Sequence, residues 1–196
     1  MIDNFNYLSL SIFNVDDMHL IVDAVHEIYK NEFEKGKMTI LSMPFRLNEY
    51  FNPESGGSHF MKFSFWKCQH YCDKVFFVSN YQDGLMSLCK LLQNKIRCDM
   101  MMCTLSKDID FPKYMFYTLR ANNEERIIQV YKDNRWFFYE RGKVLPFENI
   151  SLYKNKLIRM RLNNQIIYQY LSKNGITIED IDSNIISSIS FERIKW

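Results

Sequence analysis

Apolar and polar residues alternate at period two from Phe5 to Phe13 (FNYLSLSIF), the pattern of a strand with one buried face. Asn14, Asp16 and Asp17 follow, side chains suited to capping a helix start. Leu20, Ile21, Ala24, Val25, Ile28 and Tyr29 then recur at helical spacing, which predicts an amphipathic helix over 16–34, ended by Gly36. Met38–Met43 reads as a strand and Phe45–Phe51 as one or two helical turns. Residues 52–58 (NPESGGS) form a loop rich in turn formers and a candidate subdomain break. His59–Trp66 and Lys74–Ser79 are strand-like and flank the polar segment KCQHYCD. A helix starting at Asn80 or Asp83 runs to about Asn94 with Leu85, Leu88, Leu91 and Leu92 inward, and Ile96–Leu105 returns as a strand.

From Tyr114 the pattern becomes that of an antiparallel meander. YMFYTLRA, RIIQVYK and RWFFYE are separated by Asn122-Asn123 and Asp133-Asn134, short polar pairs that close hairpins. Gly142 and Pro146 end the last of these strands. A long helix is then expected over Leu152–Lys173, with Ile158, Leu162, Ile166 and Tyr170 on its core face and Gly175 at its C-terminal cap. A final strand falls within Ile185–Ile194. This order predicts one α+β domain over 1–196, a mixed or antiparallel sheet with helices packed mainly on one face.

Composition narrows the class. A 196-residue chain with 47% hydrophobic and 16% aromatic residues has the material for a substantial core. No apolar run approaches the roughly 20 residues of a membrane span, and MIDNFNYLSL lacks the features of a signal peptide, so the expectation is a cytoplasmic protein with no membrane partner. Five cysteines (Cys68, Cys72, Cys89, Cys98, Cys103) fit reduced thiols better than a disulfide framework. The net charge of +2 hides an asymmetry: residues 1–112 hold 11 Lys/Arg against 14 Asp/Glu, and residues 113–196 hold 14 against 9.

The candidate chemistries are few. Cys68-x-His70-x-Cys72 offers three zinc ligands, yet a structural zinc site needs a second ligand pair, and Cys98 and Cys103, five apart on a strand, point to opposite faces. His19 and His26, seven apart, share a helix face and are the only acid–base pair to consider, with no nucleophile elbow, HExxH or phosphate loop beside them. No catalytic residues, metal or cofactor are therefore expected. Lys154, Lys156, Arg159 and Arg161 crowd the first half of the expected long helix, where cations oppose the helix dipole, and this points to an alternative role as a nucleic-acid-associated factor. The aromatics Tyr114 and Phe116 (or their alternates Met115 and Tyr117), with Asp108, Asp110, Glu124 and Glu125 nearby, form the candidate binding surface for a basic protein partner.

Trp136-Phe137-Phe138-Tyr139, followed by Gly142 and Pro146-Phe147-Glu148, then Tyr153, Arg159 and Arg161-Leu162, make the pattern W-F-F-Y-x-x-G-x-x-x-P-F-E ahead of a basic-apolar segment. In this pattern the last 70 or so residues resemble bacterial immunity proteins of contact-dependent growth inhibition and other polymorphic-toxin systems. The resemblance implies a non-enzymatic cytoplasmic protein that binds one cognate toxin domain, often a nuclease, and blocks it. Immunity proteins to basic nucleases are frequently acidic. At +2 this chain departs from that pattern, which shifts the expectation toward a mainly apolar interface, or binding away from the toxin's active site.

Overall fold

The computed structural model describes residues 5–55 and 59–196; Gly56, Gly57 and Ser58 of the expected loop lie outside the described residues. In chain order the elements are β1 (Tyr7–Phe13), α1 (Met18–Ile28), α2 (Lys30–Glu34), β2 (Met38–Leu41), β3 (Lys62–Cys68), β4 (Val75–Ser79) and α3 (Met86–Ile96). They continue with β5 (Met100–Ser106), β6 (Lys113–Leu119), β7 (Glu125–Lys132), β8 (Trp136–Arg141), α4 (Asn164–Lys173) and β9 (Ile185–Arg193). The nine strands form one sheet in the order β2-β9-β3-β4-β1-β5-β6-β7-β8, and every neighbouring pair is antiparallel. The α+β class and the antiparallel sheet agree with the sequence pattern.

β1 lies at the centre, and all seven of its residues are buried. The alternation that predicts one wet face has a different cause. Leu8, Leu10 and Ile12 enter one core, while Phe13 enters the other, with Ser9 and Ser11 buried on the second face. Ser9 Oγ donates to the Gln82 carbonyl at 3.0 Å and lies 3.1 Å from Thr104 Oγ1; Ser11 Oγ lies 3.4 Å from Cys89 Sγ on α3. Their polarity is satisfied by protein, not by water.

Helices lie on both faces, α1 to α3 on one and α4 on the other. α1 and α3 pack over Phe13, Phe63, Phe65, Phe77, Met100 and Met102. α4 and several short 3-10 turns cover the opposite core of Leu8, Leu10, Trp66, Phe76, Cys103 and Phe116. A sheet this wide, with its central strands apolar on both sides, requires a layer above and a layer below.

Three helix boundaries differ from the periodicity. The 16–34 helix is split at Tyr29 (φ −104°, ψ 22°) into α1 and α2, and Asp17 is its N-cap, accepting from His19 N at 2.8 Å. α3 starts at Met86, because Gly84 (φ +65°) and Leu85 (φ +50°) are left-handed. Glycine is required at 84, where a Cβ would lie 2.9 Å from Ser9 Cβ. The largest correction is the expected 152–173 helix, of which only Asn164–Lys173 is α-helical; 3-10 turns at Leu152–Lys154 and Ile158–Met160 precede it. Asparagines divert the backbone here: Asn155 Oδ1 accepts from Leu157 N at 2.9 Å, and Asn163 Oδ1 caps α4 by accepting from Ile166 N at 3.1 Å. Gly175 (φ +75°) does follow the helix end, and Ile176 N donates to the Leu171 carbonyl at 3.0 Å.

Asn164 docks α4 on the sheet. Its Oδ1 accepts from Ser106 N at 3.0 Å and its Nδ2 donates to the Ser106 carbonyl at 2.8 Å. Ser106 is buried, so Asn164→Ala leaves both backbone groups unpaired. The expected loss is about 1–3 kcal/mol of unfolding free energy, read by urea denaturation with an unchanged m value. A loss below about 0.5 kcal/mol would show that α4 does not depend on this clamp.

Candidate functional site

Two loops at opposite ends of β6 carry the acidic residues expected to bind a partner. At about 3.3 Å per residue, the seven residues of β6 separate these loops by about 20 Å, so Asp108 and Asp110 do not share a patch with Glu124 and Glu125.

At the first end, the loop 107–112 (KDIDFP) is built around Asp108. Its Oδ1 accepts from Asp110 N at 2.8 Å and from Phe111 N at 2.9 Å, and its own N–H donates to Ser106 Oγ at 3.1 Å. The buried Pro112 ties the far side to β7, its carbonyl accepting from Lys132 N at 3.0 Å. The carboxylate of Asp108 is thus a structural brace. What the braced loop presents is Ile109, 87% exposed, and Phe111, 65% exposed, with the exposed Asp110 between them.

Behind the loop, Phe116 is fully buried against Phe147 and Tyr170, at ring distances of 5.9 and 5.4 Å. Its alternates Met115 and Tyr117 are buried on the other face. This corrects the reading of Phe116 as part of a binding surface: β6 lies within the covered part of the sheet. Tyr114 is half-buried and packs against the same core as Phe116.

At the second end, Glu124 is exposed on the β6–β7 turn, and Glu125 is fully engaged. Lys90 donates to Glu125 Oε1 at 2.8 Å, Tyr117 Oη donates to the same oxygen at 2.8 Å, and Arg141 is ion-paired with Oε2. The Lys90 hydrogen bond leads in holding the Glu125 carboxyl at about 2, below its ordinary 4.5. Glu125 ties α3 to the sheet and has little left for a partner.

Beside it lies Arg126, an inward guanidinium that shares a strand face with Ile128 and Val130. It bonds Glu148 through Nε (2.9 Å) and Nη2 (2.6 Å), Glu140 through Nη2 (2.6 Å) and the Gly142 carbonyl through Nη1 (3.2 Å). Glu148 also accepts from Leu145 N and from Tyr153 Oη, both at 2.9 Å, and Tyr153 Oη lies 2.9 Å from Tyr170 Oη. Burial alone lowers the Arg126 pKa; the two carboxylates outweigh it and raise the pKa above the ordinary value. Burial likewise raises Tyr153, with the Tyr170 and Glu148 contacts adding to it. Gly142 (φ +95°) closes on this network so tightly that a Cβ would sit 1.9 Å from the Glu125 carbonyl. A cleft of about 500 Å³ opens over Arg126, lined also by Arg120, Asn122, Glu124, Lys143 and Leu145. Its charges are largely matched internally.

The other expected groups stand apart. His19 is exposed at the start of α1, and His26, about 10 Å further along the axis, packs on Phe33 at 4.5 Å. Cys98 and Cys103 fall in the two different cores. Burial pushes the thiols of Cys68 and Cys98 up to about 11, and those of Cys89 and Cys103 to about 12. Among the described residues no group of three or more His, Cys, Asp or Glu is placed to hold a metal ion. Lys154, Lys156 and Arg159 are exposed on the 3-10 segment beside Leu157 (56% exposed) and Met160 (44%), with no ion pair among the described residues. They do not precede a helix in the way the dipole consideration supposes.

Ile109, Phe111 and Arg126 are the residues that periodicity misses. The first two are large apolar side chains in a turn-forming stretch between Ser106 and Pro112, outside any periodic run. Arg126 sits at period two with Ile128 and Val130, on the face that must be buried.

Glu148→Ala leaves the buried Arg126 with Glu140 and the Gly142 carbonyl, and its expected cost is about 3–5 kcal/mol in chemical denaturation; a near-neutral result would mean that the guanidinium reaches water. Glu125, depressed in the folded state, favours folding above pH 4.5, a contribution that fades as pH falls from 4.5 toward 2. The Tm of Glu125→Gln should therefore fall less steeply than that of the native chain across this window, as read by thermal melts in matched buffers.

Comparisons with known proteins return no match: no family model, curated protein or solved structure is similar to this chain.

Proposed function

We propose that this chain is a non-enzymatic immunity protein that binds and neutralises a cognate bacterial toxin domain, a nuclease being the expected kind. The observation that carries this reading is the braced loop 107–112. Ile109 and Phe111 stand out from the surface on a backbone fixed by the Asp108 carboxylate and by Pro112. Large apolar side chains held in place before binding lose little entropy on docking, and such residues act as interface anchors. Asp110 beside them, with the exposed Glu124 at the far end of the same strand, suits a basic partner, as nucleic-acid-cutting domains are. The C-terminal resemblance to immunity proteins points the same way.

A second reading has its own observation: the exposed cations Lys154, Lys156 and Arg159, with no ion pair among the described residues, suit a nucleic-acid backbone. Ionic strength separates the two. A phosphate-directed contact weakens steeply with salt, whereas an apolar protein interface does not.

The test is capture from a nuclease-treated lysate of the native host, followed by expression of the captured domain. The expected partner is toxic when expressed alone and harmless when co-expressed with this chain. Ile109→Ser with Phe111→Ser should weaken capture by about 2–4 kcal/mol, or 30-fold or more, while leaving Tm within a few degrees. Undiminished capture and protection by that double variant would remove the loop from the interface. Retention of RNA or DNA, lost above moderate salt and in Lys154→Glu/Lys156→Glu, would replace the toxin reading with the second one.

A further inference from the structure

The sheet ends at β8, and the hydrogen-bond alternation fixes what that edge presents. Lys132 N donates to the Pro112 carbonyl, so Lys132 turns its backbone toward β6. With the observed register, Arg126, Ile128 and Val130 do the same, and Ile127, Gln129 and Tyr131 turn theirs toward β8. Their partners are Arg141, Tyr139 and Phe137. Trp136, Phe138 and Glu140 therefore direct their N–H and C=O groups outward, and none of the three has a further backbone partner among the described residues.

Sheet edges in monomers are commonly blunted by shortness, proline, a bulge or a covering element. The opposite edge, β2, has four residues and is followed within three by Pro44. β8 has six residues, no proline and an unbroken register with β7. The turn Ile158–Met160 contacts both β7 and β8, which puts it over their inner face and leaves the edge open; Arg161 lies on that same face, 5.1 Å from the Phe138 ring centroid. On the other face, Tyr131 and Phe137 stack at 5.0 Å with a 13° interplanar angle, and Tyr139 beside them is 45% exposed.

We propose that β8 pairs antiparallel with β8 of a second copy, about a two-fold axis at Phe138. Outward-facing groups then meet outward-facing groups: Phe138 meets its own counterpart, and Trp136 meets Glu140 of the second copy, giving about six backbone hydrogen bonds. In this register Phe137 lies opposite Tyr139 of the second copy, so the Tyr131–Phe137 stack continues across the join as cross-strand aromatic pairs. The contact is isologous and closes after two copies, so it forms a dimer without propagating to a fibre. Arg135 and Arg141 of the second copy approach each other at its rim. Each has a local partner: Arg135 lies 5.1 Å from the Phe137 ring centroid, and Arg141 is paired with Glu125.

Backbone geometry supplies the test. The Glu140 N–H points outward, so Glu140→Pro deletes an edge donor without removing a β7–β8 bond, and Glu140→Ala controls for the carboxylate. Sedimentation equilibrium over a wide concentration range should show the native chain and Glu140→Ala approaching dimer mass. Glu140→Pro should associate at least roughly tenfold more weakly while keeping the native circular dichroism. A second measurement reads the register in folded protein. On a Cys72→Ser background, which removes the exposed cysteine, a mixture of Phe137→Cys and Tyr139→Cys chains should form a disulfide-linked heterodimer on oxidation. A native chain that stays monomeric at every concentration overturns the proposal. So does association of Glu140→Pro equal to that of Glu140→Ala, or a mixture that forms no heterodimer; if Glu140→Pro does not fold, the cysteine mixture decides.

Discussion

The central strands β1, β4 and β5 are buried on both faces, and the rest of the structure follows from that constraint. A strand in this position has no wet side, so every polar side chain on it must find a partner inside the protein. Ser9 uses Gln82 and Thr104, and Ser11 approaches Cys89. On the other face Ser64 Oγ lies 2.5 Å from both Tyr50 Oη and Ser190 Oγ. All of these contacts but Tyr50–Ser64 reach across 73 to 126 positions of sequence, so the core is assembled from segments far apart in the chain. The same constraint places β9, the last strand, between β2 and β3, where Phe191 stacks on Phe63 at 5.2 Å. The N-terminal half of the sheet is incomplete without the C-terminal residues.

Away from the centre the covering thins, and the exposed chemistry collects there. β6 is still buried on both faces, and β8 is only half-buried and partly exposed. Between them β7 alternates buried and half-buried residues, with Arg126 as its inward charge. A lone buried guanidinium would be costly, and Glu148 comes from outside the sheet to meet it, bringing the segment around Gly142–Phe147 down over the inner face. The ion pair therefore does what α1 and α3 do by apolar contact on the other side: it fixes a covering layer to the sheet. The edge beyond this layer keeps backbone groups with no partner among the described residues, and the strand-end loops keep exposed side chains. The sheet thus displays its exposed side chains at its periphery.

Much of this was legible in the chain. All nine strands overlap runs read as strands from the sequence, and the meander Tyr114–Glu140 pairs through the expected turns, because a period of two and a short polar connection are local signals. Burial on the second face was not legible. Ser9 and Ser11 look like a solvated face when their partners are 73 or more residues away. Nor was the end of the long helix. Ile158, Leu162, Ile166 and Tyr170 do all pack on one core at i+4 spacing, but the first of them does so from a 3-10 turn, since periodicity reports which side chains face inward and not which backbone carries them. The asparagines at 155 and 163, read by their capping chemistry, were the available signal. For the binding surface, the acids were visible and the apolar residues between them were overlooked. Phe116 was the reverse case, an aromatic whose exposure depended on layers that composition does not locate.

At Asn164 the charge asymmetry of the chain acquires a spatial meaning. Counted along the sequence, the first 112 residues are net −3 and the remainder net +5, and the total of +2 argues for no particular partner. The two hydrogen bonds between Asn164 and the backbone of Ser106 bring the two halves together at one corner of the sheet. Within four residues of Ser106 stand Asp108 and Asp110, with Ile109 between them; within five residues of Asn164 stand Arg159 and Arg161, with Met160 between them. Apolar side chains thus stand beside acids on the Ser106 side, with Lys107 among them, and beside cations on the Asn164 side. A partner reading only net charge would find this surface nearly neutral, whereas one shaped to the corner meets acid and base at set positions. Charges arranged in this way select orientation and partner more than they add affinity.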